Sequence, residues 1–324
     1  MRCLFWVLLC LVLVSSSACQ ATQQYRVEYW GPGLPYSIND LGQVTGRLDI
    51  GNEWHAFICT SAGTVDLGGC GMYNDTQAFH INNKGQIVGA AYCSAYGYRA
   101  TFMWDPATGY HILGGSSAQS INDNGWIVGS TFSTGNVMIW GSSTKPPTLQ
   151  GFMPSPADVN DKNQIAGVLD DQAVLWEPDG SVTYIPRVTD TNIAEAINNN
   201  GEVAGISYNG YAWRWSKKSG LSMLPRLPGS GYAQVTDIND RGQIVGTSGR
   251  HVVVWNPDGT MVDLSAIAGI DYTMGMGINN KGQVVGTQGN YVIVWTPVPE
   301  PSSLLMLISG TAGVLLLRRR RLSA

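Results

Sequence analysis

The sequence predicts an all-β fold, a seven-bladed β-propeller of four-stranded blades, and three observations carry that reading. A ten-residue pattern recurs seven times. The copies keep a period near 40 residues. The last copy lacks a strand, and a spare strand stands before the first. Internal repeats of this period are the mark of propellers and solenoids.

The pattern begins as SINDLGQVTG at Ser37 and returns at His80, Ser120, Asp158, Ala196, Asp237 and Gly277. Its leading Asn stands at 39, 82, 122, 160, 198, 239 and 279, so the spacings run from 38 to 43 residues. Asn-Asn or Asn-Asp followed by Gly is a tight turn, because Asn and Gly tolerate positive φ. The flanks are short and β-branched, so each copy reads as a hairpin of strands A and B. Strand C follows and usually ends in Trp: Trp104, Trp140, Trp176, Trp215, Trp255 and Trp295, with Cys59 in that slot in the first repeat. A second turn leads to strand D, from Thr64–Gly68 in repeat one to Met261–Leu264 in repeat six.

The seventh repeat has no strand D after Trp295, because the chain turns away at Pro297. The segment Tyr25–Trp30 precedes the first repeat and can supply it, closing the ring and removing exposed sheet edges. A β-solenoid fits the period but leaves the complementary missing strand unexplained.

The ends are addresses. Arg2, the apolar run Leu4–Val14 and the small residues Ser15 to Ala18 form a signal peptide, assigned to residues 1–21. Cleavage after Ala18 and after Ala21 both fit, and Cys19 leaves a lipoprotein reading open. An uncleaved anchor is disfavoured because the run is short for a bilayer. At the other end, Val298-Pro299-Glu300-Pro301 precedes an apolar run, Leu304–Leu317, and four arginines, Arg318 to Arg321. The run is expected as a short transmembrane helix, with the arginines cytoplasmic.

Without its ends the chain keeps 14 Lys and Arg against 22 Asp and Glu, a net charge near −8. An acidic body with no basic stripe argues against nucleic acid. The four histidines fall in different repeats, and no metal-ligand spacing, nucleophile elbow or phosphate loop appears. No catalytic residue, metal or cofactor is assigned. The Asn-Asp-x-Gly segments lack the alternating carboxylates of calcium loops and read as turns.

Two resemblances follow from these motifs. The repeats over residues 37–297, with His55-Ala56-Phe57-Ile58 in the first copy, resemble the HAF-type repeat of bacterial exported proteins. Later copies such as Ala173-Val174-Leu175-Trp176 keep only the apolar character and the Trp. The tail, residues 298–324, resembles a PEP-CTERM sorting signal. These resemblances imply export to the cell surface, outer membrane or extracellular matrix of a Gram-negative bacterium that makes exopolysaccharide. They also imply an exosortase-type transpeptidase as partner and a transient inner-membrane anchor. A plain anchor that is never cut is the alternative.

The B–C and D–A loops share one face of the ring and carry most of the loop tyrosines. Tyr73, Tyr92, Tyr96 and Tyr98 with Asp75 form the candidate binding set, since amphipathic rings and a carboxylate suit a sugar. Tyr208 and Tyr232 lie on the same face. Secretion favours disulfides, and this loop placement predicts a Cys70–Cys93 bridge, with Cys59 buried and free. Three roles remain open: a non-catalytic binder of polysaccharide or of a surface protein, a secreted glycan-active enzyme using two face carboxylates as acid and base, and a purely structural repeat protein.

Overall fold

The computed structural model describes residues 24–93, 97–114, 116–131, 137–141, 155–189, 191–270 and 274–298. Within Tyr25–Val298 the strands form seven antiparallel sheets arranged as the blades of a propeller. Six sheets show four strands. The third shows strands A to C (Ser116–Ile121, Ile127–Thr131, Val137–Trp140), and its expected strand D, Thr148–Gly151, lies outside the described residues.

The spare strand closes the ring. Gln24–Pro32 lies beside Tyr291–Val298 in the sheet that also holds Met274–Ile278 and Val284–Gln288. Gly33 N–H donates to Asn290 O at 2.7 Å, which fixes the end of the first strand beside the start of the other. Gln24 and Val298 therefore lie together at the opposite end of blade 7. That end belongs to the face that carries the A–B and C–D turns, the turn face. The B–C and D–A connections form the loop face.

Each strand A carries a one-residue bulge, at Tyr36, Phe79, Gln119, Ala157, Glu195, Thr236 and Met276. Bulges sharpen the local twist. In strand B, Gly at the second position after the Ile or Val that opens the strand lets neighbouring backbones approach. A Cβ on Gly46 would stand 2.0 Å from Leu34 O and one on Gly89 would stand 1.9 Å from Gln77 O. No larger residue fits there without moving backbone.

The blades meet through apolar clusters, and the repeated Trp is their main filler. Trp255 of blade 6 packs on Ala196, Ala204 and Ala212 of blade 5. Trp295 of blade 7 packs on Val245, Val252 and Leu264 of blade 6. Trp176 of blade 4 packs on Trp126 and Val128 of blade 3. Each ring fills the space above the preceding blade, and its burial supplies much of the inter-blade stability. Trp255 Nε1 also donates to Pro225 O at 2.7 Å and Trp295 Nε1 to Leu264 O at 3.1 Å.

The exception in repeat one has a physical cause. Cys59 is fully buried in the cluster between blades 7 and 1, and Trp30 of the closing strand packs against that cluster. The Cys59 thiol lies 3.9 Å from Trp30 O. A small residue in the Trp slot leaves room for the Trp that arrives with the closing strand. Cys59→Trp therefore overfills this seam and should cost about 2–3 kcal/mol, read as a lower denaturation midpoint at unchanged m-value. Cys59→Ser keeps the space and should lose less than the Trp variant.

Cys59, Cys70 and Cys93 are all buried free thiols, so the expected Cys70–Cys93 bridge is not formed in the structure. Cys70 gives both its backbone groups to Tyr73 (2.7 and 3.0 Å), while Cys93 is paired opposite Tyr98 in the blade 2 hairpin. Each is held in its own turn. Burial pushes the thiols of Cys59 and Cys70 up from their ordinary value, which slows their oxidation.

Candidate functional site: the polar axis of the ring

Residues from all seven inner strands line an axial cavity of about 130 Å³. The leading Asn of every repeat sits here, at 3–4 % exposure. In the sequence these residues read as turn formers. They are that, and they also join the blades.

In each copy the Asn side chain is used twice. Its Oδ1 caps its own turn: Asn39 Oδ1 accepts Leu41 N–H at 3.1 Å and Gln43 N–H at 2.9 Å. Such Asx caps satisfy turn N–H groups that would otherwise be buried and unpaired. Its Nδ2 donates to the backbone carbonyl of the leading Asn in the next blade. These bonds run from Asn39 to Asn82, Asn122, Asn160, Asn198, Asn239, Asn279 and back to Asn39, at 2.7–3.0 Å. The sequence separations of the bonded pairs are the repeat spacings themselves, and the last step joins blade 7 to blade 1.

A second ring stands outside the first. It comprises Asp40, Asn83, Asp123, Asp161, Asn199, Asp240 and Asn280. The backbone N–H of each donates to the Oδ1 of the next, at 2.7–2.8 Å, and Asn280 closes onto Asp40. Asp and Asn alternate for a reason: each amide bridges two carboxylates. Asn83 donates to Asp40 and Asp123, Asn199 to Asp161 and Asp240, and Asn280 to Asp40 and Asp240. Seven is odd, so alternation fails once. Asp123 and Asp161 are adjacent members with no bridging amide between them.

The turn Gln completes the pattern. Gln43, Gln86, Gln164, Gln243 and Gln283 follow their Asn by four residues, and Gln43 Oε1 accepts Asn39 Nδ2 at 2.8 Å. Two blades depart. In blade 5, Glu202 Oε2 accepts Asn198 Nδ2 at 2.8 Å and Arg214 lies 3.4 Å from the same carboxylate. In blade 3, Trp126 takes the Gln position and brings no acceptor. Asn122 Nδ2 instead donates to Asn163 Oδ1 of blade 4 at 2.8 Å. Asn163 replaces the turn Gly of its repeat and holds φ at 60°. Two departures in neighbouring repeats thus compensate each other.

A third polar level lies two residues before the Asn ring. Asp158 accepts Ser120 Oγ at 2.6 Å and Ile197 N–H at 2.9 Å, joining blades 3, 4 and 5. Asp237 accepts Ile238 N–H at 2.7 Å and Ile278 N–H at 2.8 Å, joining blades 6 and 7. Burial pushes the Asp237 carboxyl up to about 7; the two N–H groups oppose this and the charge of Asp158 adds to it. Glu195, at the bulge of blade 5, is likewise raised to about 7 by burial, and it has no hydrogen-bond partner among the described residues. Among the described residues no three carboxylate, His or Cys side chains are arranged to hold a metal ion.

On the loop face the expected binding set comes only partly together. Asp75 and Tyr92 are register partners, and Tyr98 faces Cys93 in the same blade. Arg99 lies over the Tyr92 ring at 5.6 Å. Asp75 is 9 % exposed and accepts Trp54 N–H at 2.8 Å, so it fastens blade 2 to blade 1. Tyr73 packs partly buried against the blade 1–2 core. Tyr96 lies outside the described residues.

Comparison with known proteins places the tail and the fold. Residues 297–321 match the PEP-CTERM protein-sorting motif, which marks an exported protein whose tail is recognised by an exosortase. The motif and the apolar run behind it lie outside the described residues from Pro299 onward, and among the described residues no helix is long and apolar enough to cross a membrane. Among curated proteins, none matches the chain. Solved structures similar to this one include a streptogramin B lyase (TM-score 0.58, 13 % identity, covering 85 % of this chain and 98 % of that one). They also include the virginiamycin B lyase of Staphylococcus aureus (0.57, 11 %, 85 % and 100 %) and the WD40 propeller domain of Doa1 (0.52, 13 %, 86 % and 98 %). At these identities the likeness is one of fold.

Two tests address the axis. Asn163→Gly relieves a left-handed Asn, worth well under 1 kcal/mol, but takes from the buried Asn122 amide one of its two acceptors, Asn160 O remaining, at about 1–3 kcal/mol. The loss wins, and the variant should be less stable by about 1 kcal/mol. In a Trp126→Gln background the new Gln supplies an acceptor, so the same change should cost less, a coupling of about 1 kcal/mol in a double-mutant cycle. Between about pH 4.5 and about pH 7, burial lets Glu195 keep a proton in the native state that the unfolded chain releases. Its favourable contribution is complete below about pH 4.5 and is lost as pH rises through about 7. Glu195→Gln should leave stability at pH 4 unchanged and raise it at pH 8 by about 2 kcal/mol, measured by urea denaturation at both pH values.

Proposed function

We propose that this protein is a non-catalytic HAF-repeat propeller, displayed at the surface or in the extracellular matrix of a Gram-negative bacterium, where it binds polysaccharide or a surface protein. The observation that carries this reading is the use made of the axial polar groups. The ring carboxylates and amides are taken up in bonds between blades, so the axis serves closure rather than turnover. The PEP-CTERM motif supplies the address. The surface left for a partner is the loop face, which points away from Gln24 and Val298, where the chain joins its two terminal segments.

A glycan-active enzyme is the second reading, favoured by one observation. Glu195 and Asp237 both carry protons near neutral pH, as a general acid must. Asp237 accepts a backbone N–H on each of its oxygens, which argues against it as the acid. The likeness to two lyases carries no residue across.

The test uses the protein recovered from membranes and from medium. C-terminal mass spectrometry should find a mature end near Glu300–Pro301; an intact Ala324 in every fraction contradicts exosortase processing. The same material on a glycan array should bind without releasing reducing ends from the organism's polysaccharide. Release of reducing ends by the wild type, abolished by Glu195→Gln, would replace the binding reading with the enzyme.

A further inference from the structure

The loop face is not uniform. The described B–C turns of blades 1, 4, 6 and 7 are two-residue hairpins, closed by the pairs Ile50–Glu53, Leu169–Gln172, Ser248–His251 and Gln288–Tyr291. Blade 5 inserts a residue. Its turn is Tyr208-Asn209-Gly210, closed by Ser207 N–H donating to Tyr211 O at 2.8 Å. The D–A connection that follows blade 5 brings Arg226 and Tyr232 to the same place.

Three tyrosines are left in solvent there. Tyr208 is 85 % exposed, Tyr232 44 % and Tyr211 38 %. Their backbones are fixed. Gly210 N–H donates to Ser207 O at 2.9 Å, Ala233 N–H to Gly210 O at 2.9 Å and Gly249 N–H to Tyr232 O at 3.0 Å. Gly210 packs so close that a Cβ on it would lie 2.9 Å from Tyr232 Cβ. The Arg226 guanidinium lies over the Tyr211 ring at 4.5 Å and donates to Gly231 O at 2.7 Å, clamping ring and loop together. Arg250, exposed in the neighbouring blade 6 turn, adds a second cation.

The geometry points to a polysaccharide site at the seam of blades 5 and 6, in which Tyr208 and Tyr232 stack on sugar rings and Arg226 pairs with a sugar carboxylate. We propose an acidic, uronate-containing polysaccharide as its ligand; the proposal rests on the binding reading above and gives it a place and a chemistry. Tyrosine offers a broad apolar face with a polar edge, and side chains on a fixed backbone lose little entropy on binding. Guanidinium pairs with carboxylate in a fork geometry that ammonium cannot copy. Arg226 and Arg250 make this seam a local exception on a body of net negative charge, and there they match an acidic chain. The site lies on the face opposite Val298.

The test is affinity electrophoresis of the secreted protein in gels containing sodium alginate, a polyuronate, or dextran, a neutral glucan. The wild type should be retarded by alginate, and Tyr208→Ala/Tyr232→Ala should weaken that retardation at least tenfold. Arg226→Lys, which keeps the charge, should weaken it several-fold. Trp54→Ala removes a second Arg-stacked aromatic on the loop face, in blade 1, and should leave it unchanged. Unaltered thermal unfolding of each variant shows that folding is intact, and Tyr208→Ala alone serves if the double variant unfolds. Retardation lost in Trp54→Ala but kept in the tyrosine variants overturns this site and leaves the polysaccharide reading standing. Retardation by dextran alone overturns the acidic assignment. No retardation in either gel overturns the site, and with no glycan bound on the array it overturns the polysaccharide reading as well.

Discussion

An asparagine side chain has one oxygen that accepts and one amide that donates, and this fold depends on using both ends in different blades. The oxygen folds the A–B turn of its own repeat. The amide reaches the carbonyl of the same residue in the next repeat. Because the two bonds come from one buried residue, turn formation and blade registration are coupled. Seven such residues make a cycle that closes only when blade 7 meets blade 1. A buried, fully paired polar network of this kind specifies a unique arrangement, and an unpaired member is costly. Glutamine or aspartate could not substitute quietly: one has the wrong reach, the other no amide.

The second ring shows the same principle under a constraint of number. Asp and Asn alternate so that every amide finds two carboxylates, and an even ring could alternate without fault. Seven blades cannot, and the fault falls between Asp123 and Asp161. It falls beside the other irregular place on the axis, where Trp126 has displaced a Gln and Asn163 has displaced a Gly. The seam between blades 3 and 4 therefore collects three departures from the repeat, while the Glu202 exchange stands apart in blade 5. The apolar cluster that holds Trp126 and Trp176 supplies packing there, where the polar pattern is weakest.

Much of the fold was legible in the sequence, because its signals are local or periodic. Turn chemistry at Asn-x-x-Gly, β-branched flanks and the recurring Trp define each blade without reference to the others. The spare strand at Tyr25 and the missing one after Trp295 are visible by counting. The axis was not legible in the same way. Asn at the head of a tight turn is already explained by the turn, so nothing in a single repeat asks for a second role. The signal lay in the comparison of copies: the leading Asn never varies in seven repeats, although Asp or Gly would also make the turn. On the loop face, residue type alone drew attention to Tyr73, Tyr92 and Asp75, and burial separates them. Asp75 holds two blades together, whereas Tyr208 and Tyr232 are the rings left open. Cys59 has a similar history. Its small size reads as a lapse in the repeat until Trp30 is seen to fill the space.

The closing bond from Asn279 to Asn39 makes the seven blades one cooperative unit. Hydrogen exchange on an Asn279→Ala variant tests it most directly. Faster exchange is expected on both sides of the closure, in the Asn39–Gln43 turn and in the closing strand Gln24–Pro32, with a lower midpoint for a single unfolding transition. Faster exchange confined to the Asn279–Gln283 turn, with the Asn39–Gln43 turn and the midpoint unchanged, would show that the ring of amides caps turns without holding the blades together.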